Sequence, residues 1–108
     1  MFVIINRALI AKGYAGFAVW PLVVLRSKSL KSDVVFMNHE RIHLRQQLEL
    51  LVIPFFIWYA TEFLIRLAQY RSAYLAYLNV SFEREAYAKE TSLSYLKIRK
   101  NWSFFRYL

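Results

Sequence analysis

The chain has 108 residues, no cysteine, and a formal net charge of +8 from fifteen Lys and Arg against seven acids. That length allows one domain around one modest core, and the missing thiols exclude both a disulfide framework and a sulfur-ligated metal site. Hydrophobic residues make up 58% of the chain and aromatics 19%, more than so small a domain can hide, so some apolar surface is expected to meet a partner chain, a second copy in a homo-oligomer, a membrane or a ligand.

Phe2-Val3-Ile4-Ile5 is short, β-branched and closed by Asn6-Arg7, which predicts a strand. Gly13-Tyr14-Ala15-Gly16 has turn chemistry. Phe17 to Leu25 reads as a second extended segment, which Pro21 either demotes to a sheet edge or breaks in two. Neither uncharged run, Gly13 to Leu25 or Leu50 to Thr61, reaches the roughly 20 apolar residues of a membrane span. With Asn6, Arg7 and Lys12 interrupting it, the N-terminus is a poor secretory signal. A cytoplasmic protein is expected, peripheral to the inner membrane if it touches one.

Ser27 to Asp33 is a polar loop, and Ser32 or Asp33 can cap the helix that follows. From Val34 the apolar positions Val35, Ile42, Leu44, Leu48 and Leu51 fit a helix whose other side carries Arg41, Arg45 and Glu49. The only two histidines, His39 and His43, lie on this helix four residues apart, so their rings share one face. Gln47 continues that stripe and Gln46 flanks it. Zinc can be gripped by such a pair, and the intervening Glu40 can then act as general base on a zinc-bound water.

Pro54 is expected to kink this helix or open a new one. Phe55 to Ala68 reads as a largely buried second helix, with Glu62 and Arg66 as an i,i+4 pair. The aromatic stripe between Gln69 and Leu78 reads as packing. Asn79 and Ser81 are both candidate N-caps for a further helix, Phe82 to about Thr91. Ser94 to Leu108 mixes Lys97, Arg99, Lys100 and Arg106 with five aromatics. That tail reads either as a basic helix lying on an anionic membrane or as a helix closing the core. The predicted fold is α+β and mainly α: a short N-terminal strand region or hairpin beside three to four helices, in a single domain over residues 1–108.

Two histidines leave a catalytic zinc one protein ligand short. Glu49 lies about 100° round the helix from the histidine stripe and cannot bend back. Glu83 and Glu85 come from a separate helix, which can face the histidines across a gap, and small Ala86 would let the two backbones approach. Glu83 is preferred, then Glu85, with Glu62 a distant third. An acidic first turn complementing the helix dipole is the plain alternative for either of the first two.

His39-Glu40-x-x-His43 followed by Glu83-x-x-Ala86 resembles the gluzincin branch of zinc metallopeptidases, whose third-ligand glutamate sits on a downstream helix. The continuation Gln46-Gln47 is similar to the HExxHxxQQ signature of a family of peptidase-like domains, and the whole arrangement looks like small bacterial proteins. The resemblance covers roughly residues 34–92. It implies zinc held by His39, His43 and Glu83, with Glu40 as general base and a minimal zincin-like core. Tyr87 stands where related families often place an aspartate that orients a histidine ligand. The expected activity is hydrolysis of a peptide or protein substrate, with a tyrosine or arginine steadying the oxyanion; Tyr74, Tyr77 and Tyr87 are unranked candidates. The competing expectation is a non-catalytic basic protein that binds membranes or a partner and keeps a structural or vestigial metal site. Nucleic acid fits less well, because no recognised binding motif accompanies the charge.

Overall fold

Three short strands form a mixed sheet in the computed structural model, which describes residues 2–10 and 14–108. They are β1 (Phe2–Ile5), β2 (Gly16–Val19) and β3 (Leu22–Leu25), in the order β1-β3-β2. β1 runs parallel to β3 with Ile4 opposite Val24, and β2 runs antiparallel with Ala18 opposite Val23. Of the expected turn, Gly13 lies outside the described residues, and Gly16 opens β2. A Cβ on Gly16 would collide with the Val24 carbonyl oxygen, so the close pairing there needs glycine. Pro21 breaks the extended segment in two, forming a turn with Trp20. β3 is therefore the central strand, with Val23, Val24 and Leu25 buried, as an uninterrupted apolar run covered on both faces should be.

A 3-10 turn (Lys28–Ser32) leads to Asp33, whose carboxylate accepts from the Phe36 N–H at 3.0 Å and caps α1 (Val34–Leu50). Helix α1 is packed on two flanks. Met37 and Leu44 join Ala18, Val23 and Leu25 of the sheet, while Ile42 packs against Ala86 and Tyr95. Between those flanks α1 buries a polar row: Asn38, His39, Glu40, His43, Gln46 and Gln47. Leu48, expected on the apolar side, is half exposed. Burying six polar side chains is costly unless each finds a partner, and that demand is what shapes the site.

The chain turns at Leu51, which adopts a positive φ of 63°. α2 (Val52–Tyr70) leaves at 110° to α1. Pro54 sits in the first turn of α2, where its missing N–H costs nothing, so the break precedes the proline. α2 is not the largely buried helix expected. Phe55 is its one buried residue, and Ile53, Ile57, Leu64 and Ile65 face outward, because α2 is covered from one side only. The expected Glu62–Arg66 pair is also replaced. Glu62 accepts from the Ser81 N–H at 2.9 Å and from the Ser81 hydroxyl, while Arg66 donates to Gln69 Oε1 at 3.0 Å.

After α3 (Ala73–Leu78) comes α4 (Ser81–Lys89). Neither expected cap serves it. Asn79 reaches back to the Leu75 carbonyl at 2.7 Å, and Ser81 is already inside the helix, so the Glu62 carboxylate supplies the acceptor at the α4 N-terminus. At the other end the Asn38 amide donates to the carbonyls of Lys89, Glu90 and Ser92 at 2.8–3.3 Å. Two other elements thus hold α4 at its ends. The tail is α5 (Tyr95–Ile98) and a 3-10 turn (Ser103–Tyr107), not one long helix. It closes the core: Phe104 packs with Phe55, Val80 and Phe82. Among the described residues no single helix is long and apolar enough to cross a membrane; α1 and α2 pass that test only as a bent pair.

Candidate metal centre

His39 and His43 project from α1 toward the first turn of α4, where Glu83 meets them. His43 Nε2 lies 2.9 Å from Glu83 Oε1, His39 Nε2 lies 3.2 Å from the same oxygen, and the two ring nitrogens are 3.1 Å apart. All three residues are buried, and together they form a group that could hold a metal ion. Ala86 makes this approach possible, since its methyl group packs on Ile42 with no exposure to solvent.

Gln46 decides the state of His43. Its amide nitrogen donates to the Phe82 carbonyl at 3.1 Å and to Glu85 Oε1 at 2.9 Å, which fixes its oxygen toward His43 Nδ1 at 2.9 Å. His43 must therefore carry a proton on Nδ1, and in the neutral ring the Nε2 lone pair points at Glu83. A lone pair facing a carboxylate oxygen at 2.9 Å needs a cation between them, either a proton or a metal. Without a metal the proton wins: although burial alone would lower His43, the Glu83 charge and hydrogen bond raise it to about 9. The same partnership holds Glu83 down to about 2, against the upward push of burial.

The donor set fits a metal on its own geometry. Separations of 2.9–3.2 Å between the three atoms approach the edge of about 3.3 Å for a tetrahedron with bonds near 2.0–2.1 Å. Tyr59 donates to Glu83 Oε2 at 2.8 Å, steadying the oxygen that does not face the histidines. His39 Nδ1 has no hydrogen bond but faces Glu90 Oε2 at 3.5 Å.

Glu40 lines the same cavity and is buried, and its Oε2 has no hydrogen-bond partner. Burial pushes its carboxyl above the ordinary value and the nearby Glu83 adds to this, against the pull of His43 and His39. A raised carboxyl is a better proton acceptor than an ordinary one, which is the direction a general base needs. The cavity encloses about 380 Å³. Apart from the cluster its wall is largely apolar, with Leu9, Ile10, Phe17, Phe55 and Phe56.

No family model, no curated protein and no solved structure matches the chain.

Of the three glutamates weighed for the third position, Glu83 alone reaches the histidines. Glu85, two residues on, points the other way: it accepts from Tyr95 Oη at 2.6 Å and from Arg99 Nη2 at 3.0 Å. Glu62 is engaged with Ser81, and Glu49 pairs with Arg99 Nη1 at 2.7 Å. Arg99, counted among the tail's membrane-facing charges, is thus buried between two carboxylates.

Tyr87 does not hydrogen-bond a histidine. Its ring stands edge-on to His39 with centroids 4.4 Å apart, and its hydroxyl pairs with Tyr77 at 2.7 Å. Tyr77 lines the main cavity, whereas Tyr74 and Tyr87 line a smaller adjoining one. Sequence reasoning missed Tyr59, Glu90 and the role of Gln46. Spacing could have found two of them, because Gln46 lies three residues after His43 and Glu90 seven after Glu83, on matching helix faces. Nothing local marks Tyr59, which depends on how α2 packs against α4.

Proposed function

We propose that the chain is a minimal zinc-dependent hydrolase of the metallopeptidase type, resembling the HExxHxxQQ gluzincin pattern, with His39, His43 and Glu83 as zinc ligands. The observation that carries this reading is the unpartnered Glu40 oxygen in the wall of the cavity where those three groups converge. Two imidazoles and one carboxylate are a donor set of catalytic zinc, and three protein ligands leave a position for chemistry. When bound, zinc would supply Lewis-acid polarisation of a substrate carbonyl and of water.

The chain's own residues divide the remaining work. Glu40 accepts a proton from the attacking water and returns it to the leaving amine. Gln46 holds the His43 ring and Tyr59 holds Glu83, so neither ligand reorients during turnover. Tyr59 is committed to Glu83, so the other two phenols of the cavity wall, Tyr14 and Tyr77, are the candidates for the developing oxyanion, and the Tyr77 hydroxyl would have to leave its partner Tyr87 to serve.

An extended peptide can reach the site along β2, the edge strand whose residues line the cavity. Gln47 shortens that edge. Its amide donates to the Ala18 carbonyl at 2.8 Å and accepts from the Trp20 N–H, groups a longer added strand would need. The free edge is therefore the Gly16 end, and the apolar wall suits a short segment with a hydrophobic side chain. Hydrolysis of quenched peptides that stops on chelation and returns with zinc supports this reading. Hydrolysis indifferent to chelation contradicts it.

A further inference from the structure

Helix α2 has two faces of opposite fate. Phe55, Trp58, Tyr59 and Phe63 turn inward onto Phe82 and Phe104. Ile53, Ile57, Thr61, the neighbours Leu64 and Ile65, and Ala68 recur every three or four residues along one side of the helix and face outward. Ile53 is 73% exposed, Ile57 64% and Leu64 63%. A water-facing stripe on a surface helix normally carries charge, and this one carries none. The two charges of α2, Glu62 and Arg66, are half-buried and bonded to Ser81 and Gln69. The uncharged stripe covers Ile53 to Ala68 of this 19-residue helix, about 23 Å at 1.5 Å per residue.

The stripe is continuous with the mouth of the metal-site cavity. Phe56, on the outer side of α2, is also a cavity wall, and so are Leu9 and Phe17, both exposed. The exposed charges of the molecule as a whole are nearly all of one sign, and Arg71 caps the C-terminal end of α2 itself. Among the described residues Asp33 is the one acidic residue classed as exposed, while Arg7, Lys28, Lys31, Arg41, Arg71 and Lys97 all are. The acids have gone inward, into the metal cluster, the Arg99 pairs and the α4 cap. The net charge of +8 is thus displayed almost undiluted.

We infer that the outer stripe of α2 lies in the headgroup–acyl boundary of an anionic lipid bilayer, with the mouth of the metal-site cavity at that boundary. Apolar burial and attraction of the basic surface act together in such binding, whereas a second copy of so basic a chain is repelled. Since no single described helix is long and apolar enough to cross a membrane, α2 lies along the surface. The inference holds whether or not the metal cluster is catalytic.

The test is co-sedimentation with vesicles of phosphatidylcholine alone or mixed with phosphatidylglycerol. Wild type should sediment with the mixed vesicles, and Ile57→Asp/Leu64→Asp should weaken that binding at least tenfold. Leu93→Asp/Ile98→Asp makes the same charge change at equally exposed apolar positions off the stripe and should lose much less binding than Ile57→Asp/Leu64→Asp. Because the chain has no cysteine, Ile57→Cys and Ile98→Cys each give one site for a polarity-sensitive dye. The dye should shift to the blue on vesicles at the first position and stay unshifted at the second. Equal binding by the two double variants, or a blue shift at Ile98→Cys alone, overturns the inference. So does a vesicle-free dimer that Ile57→Asp/Leu64→Asp dissociates, since a second copy would then cover the stripe.

Discussion

Gln46 ties His43 to Glu85: its carbonyl accepts from His43 Nδ1 at 2.9 Å while its amide donates to Glu85 Oε1 at 2.9 Å. One neutral side chain thereby couples the metal cluster to the buried Arg99–Glu85–Glu49 network. Gln46→Leu should lower zinc affinity about 10–100-fold, as loss of a group orienting a ligand does. It should also destabilise the fold by about 1–3 kcal/mol, because the buried His43 Nδ1 loses its hydrogen-bond partner. Chelator competition and urea unfolding measure the two effects. Unchanged affinity would mean that His43 needs no such support.

Glu83 and Glu85 should separate cleanly by what each substitution damages. Glu83→Gln should cost more than tenfold in zinc affinity. Glu85→Gln should leave affinity within a few-fold but cost about 3 kcal/mol of stability, the lower end for a broken buried pair since Glu49 still faces Arg99. Zinc titration and urea unfolding of both variants check this. A larger affinity loss in Glu85→Gln would contradict the assignment.

Much of this site was legible as local pattern. The 3.6-residue period aligns His39 with His43, and the helix break between them and Glu83 supplies a second wall, so spacing alone favoured Glu83 over Glu49. The strands Phe2–Ile5 and Leu22–Leu25 follow from β-branched runs. What could not be read was which side of an apolar helix is covered. α2 carries large apolar residues on both its covered and its open side, so hydropathy does not distinguish Phe55, which is buried, from Ile57, which is exposed. Likewise Arg99 looks like any tail cation until Glu49 and Glu85, distant in sequence, are seen to converge on it.

Zinc uptake should release a proton. Metal-free His43 is raised to about 9, so at pH 7 its Nε2 carries a proton that the metal must displace. Affinity should fall about tenfold per pH unit below about 9 for this one proton. Calorimetry in buffers of different ionisation enthalpy counts the protons released, and none released at pH 7 would contradict the His43–Glu83 pairing.

The same pair predicts how the metal-free fold responds to pH. A histidine raised on folding stabilises the fold fully below its unfolded value and loses that contribution as pH rises through its folded value. Metal-free protein should therefore lose stability between about pH 6.5 and 9, the interval between the unfolded and folded values. Zinc-loaded protein should not follow that decline, because the metal replaces the proton. Urea midpoints across that range, with and without zinc, make the comparison.

The central claim is that Glu40 acts on water beside a metal it does not hold. It is tested most directly by comparing zinc content and peptide hydrolysis in wild type and Glu40→Gln. Glu40→Gln should keep about one zinc per chain and a wild-type fold while hydrolysis falls at least 10²–10⁴-fold, the roughly expected loss of a general base. Zinc-loaded wild type that cleaves no peptide would leave the cluster a structural site. Equal hydrolysis by the two proteins would contradict the account outright, because it would put the proton transfer on some other residue.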